Sequence, residues 1–189
     1  MEVGRHTYGH DQIAIRSWGE SAELRIGSFC SIADRVTVFL GGNHRTDWVT
    51  TYPFPAFPDR WEQAAGIRGE HTTKGDVVIG NDVWVGSNVT FMSGVTVGDG
   101  AAIGANSCVT RDVAPYAVMA GNPARQLRLR FDTETIERLL MIRWWEWSDE
   151  RIGANVPLLC SGDIDRFLGA QGPSGALRKA WKRLLGSRR

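Results

Sequence analysis

Histidine is scarce in this 189-residue chain, which has four, and the stretch from Ile79 to Gly121 has none. Metal centres built on a β-wall need several imidazoles or thiolates converging on one point, so a metalloenzyme is a poor fit and no metal is expected. The three cysteines, Cys30, Cys108 and Cys160, are widely spaced and odd in number. That excludes a disulfide framework or a zinc knuckle and leaves them as small buried filler. There is no apolar run of membrane-spanning length and no N-terminal apolar block of signal-peptide type, so the expected compartment is the cytoplasm. No Gly-x-Ser-x-Gly elbow offers a serine nucleophile.

Net charge is also nearly absent, at +1 from 22 basic and 21 acidic residues, but it is unevenly spread. Residues 173–189 carry six basic side chains and no acidic one, and setting them aside takes the net charge from +1 to −5. A body that acidic excludes a nucleic-acid clamp. Within that tail Leu177, Ala180, Trp181, Leu184 and Leu185 share one helical face among basic residues. Membrane-surface contact through 173–189 is weaker as a reading than a terminal helix or frayed tail touching the protein itself.

What the chain does have is a beat of six. Ile79, Val85, Phe91, Val97, Ile103 and Val109 follow one another at that spacing, as do Ile26, Ile32 and Val38. A strand repeats every two residues and a helix every 3.6, so a sustained six marks short strands that turn a corner and stack in parallel. Glycine follows the aliphatic residue in four of the six hexads from Ile79, and Asn or Asp recurs in the corners, where left-handed backbone is needed. Val77, Val83, Val89, Val95, Ala101 and Ser107, two places before each lead residue, point inward with them. The register is expected to end at Pro115, with Gly121-Asn122-Pro123 breaking the strand pattern.

The six-residue beat would next place His44 after Val38. His44 to Ile79 is not a multiple of six, so the chain leaves the coil and returns. Pro53, Pro55 and Pro58, with Trp48, Tyr52, Phe54, Phe57 and Trp61, make this an ordered excursion over 44–75. The expected organisation is an all-β solenoid over 1–125 carrying that loop, a C-terminal helical segment over 126–170, and a basic tail over 171–189. In the helical segment Ile136, Leu139, Leu140 and Trp144 form an apolar stripe, and Asp132, Ser148 and Asp163 are expected N-caps.

Four stretches together carry a resemblance: Gly42-Asn43-His44-Arg45-Thr46-Asp47-Trp48 with Thr51-Tyr52-Pro53-Phe54; Gly80-Asn81-Asp82-Val83-Trp84-Val85-Gly86; Ala120-Gly121-Asn122-Pro123-Ala124-Arg125; and Trp144-Trp145-Glu146-Trp147. The sequence resembles the xenobiotic acetyltransferase subgroup of the hexapeptide-repeat acyltransferases, which includes chloramphenicol and streptogramin acetyltransferases. The resemblance runs from about Val3 to about Leu168. It implies a left-handed parallel β-helix, a homotrimer, and an acetyl-CoA cleft between neighbouring subunits with the loop reaching over.

By the same resemblance His44 is the general base, suited to it because a neutral imidazole titrates near physiological pH. Asp47, Asp34 or a backbone carbonyl would each serve to orient its ring, and backbone amides at the coil corners would hold the oxyanion. Trp84 would cover the pantetheine arm of CoA, with Ala102, Gly104, Ala120 and Gly121 letting that arm approach the backbone. Thr110, Arg111, Asn122 and Arg125 would meet the far end of CoA, where a guanidinium pairs two phosphate oxygens. Asn43, Asp47 and Tyr52 would contact the acceptor.

The antibiotic-modifying members place a long segment between the opening Val-Gly-x-x-[Ser/Thr]-Tyr and the first Ile-Gly hexad. Here Val3-Gly4-Arg5-His6-Thr7-Tyr8 reaches Ile26 in a short run. A trimmed acceptor wall makes a carbohydrate hydroxyl the expected acceptor, with chloramphenicol or a streptogramin as the alternative. A catalytically silent scaffold subunit is the rival reading from another class.

Overall fold

The computed structural model describes residues 1–19 and 21–171, and divides the chain into two units, Met1–Asp132 and Thr133–Arg189. In the first unit the strands fall in turn on three parallel sheets. The opening pass contributes β1 (Glu2–Val3) and β2 (Ala14–Arg16), with Tyr8 bridging to Ser31 between them. The second coil holds β3 (Leu24–Ile26), β4 (Ser31–Ile32) and β5 (Thr37–Phe39). A ribbon of β6 (Asn43–His44) and β7 (His71–Thr72) then stands off the coil.

The third coil is β8 (Val77–Ile79), β9 (Trp84–Val85) and β10 (Thr90–Phe91); the fourth is β11 (Thr96–Val97), β12 (Ala102–Ile103) and β13 (Cys108–Val109). Ile79 pairs with Val97, Val85 with Ile103 and Phe91 with Val109, so three hexads make one turn. The lead residues Ile79, Val85, Phe91, Val97, Ile103 and Val109 are buried in three stacks of one core, with Val77, Val83, Val89, Val95, Ala101 and Ser107 beside them. Each such aliphatic side chain, removed from water by the coils above and below, contributes about 1.5–3 kcal/mol.

The corners carry left-handed backbone at Asp82, Asn88 and Asn106, as the Asn/Asp pattern predicts. Their polar side chains stitch one coil to the next. Asn81 Oδ1 accepts from the Ser28 amide at 2.8 Å while its Nδ2 donates to Asp99 Oδ1 at 2.8 Å. One corner tolerates no side chain: a Cβ on Gly100, at φ 70°, would lie 2.4 Å from the Tyr116 ring.

Two expectations about the strands need correction. The parallel register does not end at Pro115: β14 (Ala117–Ala120) pairs in parallel with β12, Ile103 meeting Met119, in a turn two residues short. Nor is residue 126 the start of helix, because β15 (Arg125–Leu129) folds back antiparallel on β14 and covers that edge. The opening pass went unread as a coil, although β1 pairs with β3 and β2 with β5.

The second unit contains α1 (Thr133–Ile142), α2 (Asp149–Leu159) and α3 (Ile164–Ala170). Ser148 and Asp163 cap the latter two, accepting from the amides of Arg151 and Arg166. Trp145 and Trp147 are buried, and the Arg151 guanidinium lies 3.8 Å from the centre of a Trp147 ring. Of the cysteines, Cys30 is buried, Cys108 half-buried and Cys160 exposed, so the filler reading fails for Cys160 at the end of α2. Beyond Gln171 the basic tail and its amphipathic face lie outside the described residues.

Candidate active site

The excursion leaves the coil after β5 and returns at β8, so it sits at one corner between two sheets. Its neck is the ribbon, in which Asn43 faces Thr72 and His44 faces His71. The neck is fastened by Asn43, whose Nδ2 donates to Ser93 Oγ at 2.9 Å and to the Thr72 carbonyl at 3.1 Å. Ser93 belongs to the coil and is buried. The Nδ2 of the residue expected at the acceptor thus holds the loop to the wall. Just ahead of it, Gly42 packs against Trp18: a Cβ there would meet the indole at 2.5 Å.

His44 is exposed at the mouth of the ribbon, and its Nδ1 lies 2.7 Å from the carbonyl oxygen of Thr51. A carbonyl can only accept, so Nδ1 carries the proton and Nε2 of the neutral ring presents its lone pair. The orienting group is thus a backbone carbonyl, and neither aspartate takes that place. Asp47 is gripped by Arg45, at 2.7 Å to Nε and 2.5 Å to Nη2, and that guanidinium holds its carboxyl down to about 2. Asp34 bonds to Ser87, which lowers its carboxyl, and lies beside Arg35. Arg45 also covers the Trp48 ring at 5.4 Å, so Asp47 works as a brace inside the loop.

Tyr52 follows Thr51 directly and opens an aromatic ledge. Its ring meets Phe54 at 4.8 Å and Phe57 at 5.8 Å, and Phe54 meets Trp61 at 5.1 Å. Tyr52, Phe57 and Trp61 remain 42, 48 and 40% exposed and form an apolar face in the loop that carries His44.

Across the β-wall, Ser31, Trp84, Ala102, Val118 and Arg128 lie side by side in register on successive strands. They line a groove of about 380 Å³ with Phe29, Asp82, Val83 and Arg130. Trp84 is 55% exposed, so it is neither core nor filler within this chain. Gly104 and Ala120 continue from the same two strands, with the Gly104 amide donating to the Met119 carbonyl at 2.8 Å. Gly121 follows at φ 97°, and its carbonyl accepts from Cys108.

Thr110, Arg111, Asn122 and Arg125 are exposed near that end, and Arg125 Nη1 donates to the neighbouring Ala124 carbonyl. Arg128 and Arg130, which the sequence reading passed over, bring positive charge to the groove that holds Trp84. Asp82 at its edge is pushed up to about 6, chiefly by burial and against the pull of Arg130. Among the described residues no group of three or more His, Cys, Asp or Glu could hold a metal ion, and no helix is long and apolar enough to cross a membrane.

Comparison with known proteins agrees with this geometry. Residues 76–111 match the family model described as bacterial transferase hexapeptide (six repeats). A probable macrolide acetyltransferase of Lysinibacillus sphaericus is 50% identical over 140 residues, 74% of this chain and 78% of the relative. A chloramphenicol acetyltransferase of Agrobacterium fabrum is 48% identical over 143 residues, 75% of this chain and 68% of the relative. A hexapeptide-repeat acetyltransferase of Vibrio cholerae O1 biovar eltor, solved with acetyl coenzyme A, superposes with a TM-score of 0.50 at 27% identity. That match takes in 69% of this chain, which spans 60% of the solved one. With half of the aligned residues identical to those of an acetyltransferase, over 74% of this chain and 78% of the relative, and the hexad wall and histidine loop in place, the chain is an acetyltransferase and belongs to the hexapeptide-repeat acyltransferases, in their xenobiotic subgroup.

Proposed function

We propose that this chain transfers the acetyl group of acetyl-CoA to an acceptor hydroxyl by direct attack, with His44 as general base. The observation that carries this reading is the 2.7 Å contact from His44 Nδ1 to the Thr51 carbonyl, which leaves Nε2 to receive a proton. His44 Nε2 takes the proton of the acceptor hydroxyl as its oxygen bonds to the acetyl carbon. It returns that proton to the thiolate as the carbon–sulfur bond breaks. The groove with Trp84 and Ala102 on its floor and Arg128 at its end suits an extended apolar arm ending in phosphate. Trp84, Ala102, Gly104, Ala120 and Gly121 follow that arm in this reading, with Thr110, Arg111, Asn122 and Arg125 toward its far end.

The assembly we propose is the family's: a left-handed parallel β-helix over 1–125 with the 44–75 loop, working as a cytoplasmic homotrimer. The acceptor is a hydroxyl-bearing small molecule with an apolar face, of the antibiotic kind in the relatives' names, because Tyr52, Phe57 and Trp61 offer it an aromatic ledge. A carbohydrate is the second reading, carried by the short run from Tyr8 to Ile26. Thiol release from acetyl-CoA, measured with chloramphenicol, a macrolide, a streptogramin and a panel of sugars, tests both. Turnover lost in His44→Ala supports the mechanism, turnover that survives in it overturns it, and the acceptor that responds decides between drug and glycan.

A further inference from the structure

His44 stands two residues beyond Gly42, where the chain leaves the coil for the ribbon. Up to that point β2 and β5 run together, with Arg16 opposite Phe39 and the Leu40 amide donating to the Arg16 carbonyl at 2.8 Å. Past this bond the two segments part, and the one from β2 brings Trp18 over the take-off. Gly42 has a φ of 72°, and a Cβ on it would lie 2.5 Å from both Cε3 and Cζ3 of the indole and 3.1 Å from Cδ2. The benzene ring of Trp18 therefore rests on the Gly42 backbone. The same indole stacks on Phe39, with ring centres 6.2 Å apart and planes 11° from parallel. One side chain thus bears both on the end of β5 and on the residue ahead of the ribbon.

The residues on either side of this point are tied by polar contacts. The Leu40 carbonyl accepts from the Thr73 hydroxyl, and Asn43 donates to the Thr72 carbonyl and to Ser93. Lys74, on the return side, lies so close to Gly94 that a Cβ there would meet its own Cβ at 2.6 Å. Between the tied Leu40 and the tied Asn43 run Gly41 and Gly42. Two consecutive glycines can take a wide range of φ and ψ, so this is the joint about which the ribbon would swivel. The indole lies over that joint. Trp18 is 51% exposed, so little of the stability of the wall rests on its burial.

We propose that Trp18 is a positioning residue for acetyl transfer: by packing on Gly42 it locks the Gly41-Gly42 joint and holds the ribbon, and with it the His44 ring, in one orientation. This rests on His44 being the base. Trp18 acts through the backbone from Gly42 to His44 and touches no reacting atom. With the indole gone, the neck samples orientations in which Nε2 misses the acceptor hydroxyl, and the productive fraction of complexes falls.

The test follows thiol release from acetyl-CoA with the acceptor panel in Trp18→Ala, Trp18→Phe, Gly42→Ala, the Trp18→Ala/Gly42→Ala double variant and His44→Ala. Thermal unfolding verifies folding, and nitrogen NMR reads the His44 ring. Trp18→Ala should lower kcat about 10–100-fold with acetyl-CoA KM within about twofold of wild type. Its His44 ring signals should broaden or split. Trp18→Phe, which still covers the glycine, should recover most of kcat and a single set of signals. Gly42→Ala drives a methyl into the indole, so its loss should be partly relieved in the double variant, which keeps more activity than the product of the two single losses. Wild-type kcat in Trp18→Ala, or losses that simply multiply in the double variant, overturns the proposal. So does a kcat loss with the His44 signals unchanged, because Trp18 then meets the acceptor itself. Full turnover in His44→Ala sinks the base assignment instead, and the ring signals across the Trp18 variants then decide by themselves whether the indole holds the neck.

Discussion

The Nδ1 atom of His44 and the carbonyl oxygen of Thr51 lie 2.7 Å apart, which fixes both the direction and the tautomer of the imidazole. Seven residues of loop return to make that contact, so the ring of the proposed base is set by backbone geometry. Replacing His44 with Ala should lower kcat by about 10²–10⁴-fold with little change in acetyl-CoA KM. Nitrogen NMR of the neutral ring should show the proton on Nδ1. A ring protonated on Nε2 instead would overturn the orientation on which the mechanism depends.

Asn43 tests how far the catalytic geometry depends on the neck. Its side chain joins Thr72 across the ribbon and Ser93 on the coil, where Ser93 is 3% exposed. Asn43→Ala removes both bonds and should cost about 1–2 kcal/mol of stability. Because the same bonds register His44, kcat should fall at least about tenfold with acetyl-CoA KM nearly unchanged. If acceptor KM alone rises, Asn43 touches the acceptor as the sequence reading had it.

The wall could be read before any coordinates because each hexad repeats the same physics: an aliphatic lead such as Ile79 or Val97, an inward Val two places before, and a corner that needs glycine or asparagine. The departures were harder to see. Val3, Gly9 and Ile15 keep the six-residue step, but the middle place is a glycine and the step from Ile15 to Ile26 is eleven, so the beat cannot be followed back from Ile26. Arg125–Leu129 pairs antiparallel, a contact that local pattern does not encode. At the candidate site the motif pointed to His44, but the choice among Asp34, Asp47 and a carbonyl as its neighbour depended on how the loop returns. Arg45 two residues from Asp47 was the available clue that this carboxylate was already taken. The pairing of His44 with His71 escaped notice because it spans 27 positions of irregular sequence.

Phe91 stands in the middle of the buried column, on β10 between β5 and β13. Phe91→Ala should destabilise by about 3–5 kcal/mol, since the coils above and below hold the cavity open. Chemical denaturation should show the midpoint falling with the slope preserved. A loss below about 1 kcal/mol would mean that the coil collapses around the gap.

Trp84 makes the opposite prediction, being large but more than half exposed on the wall. Trp84→Ala should leave thermal stability nearly unchanged and raise the KM for acetyl-CoA about tenfold, with kcat within a few-fold of wild type. An assembly that falls apart instead, seen by sedimentation, would assign the indole to a subunit interface and free the groove from the donor.

Asp82 gives a prediction in pH. Burial pushes its carboxyl up to about 6, against the pull of Arg130 and with Asp99 adding to the rise, from an ordinary value of 3.8. Between these values the folded chain keeps a proton that the unfolded chain has released, so stability from this group falls as pH climbs from about 4 to about 6 and is level above. The whole step is about 2–3 kcal/mol, from a shift of about two pH units at 1.36 kcal/mol each. Asp82→Asn cannot ionise and keeps the shape, while Arg130 retains its 2.6 Å bond to the Gly100 carbonyl. The variant should therefore match wild type near pH 4, gain on it through pH 5, and stand above it by a constant margin from pH 7 upward. Thermal unfolding followed by circular dichroism at each pH reads this directly. A gap that stays flat from pH 4 to 8 would mean that Arg130 fully offsets the burial and that Asp82 is ionised throughout. On either outcome Asp82 is ionised above about pH 7, so a phosphate bound in the Trp84 groove there would meet a negative charge at its edge, which Arg128 would have to outweigh.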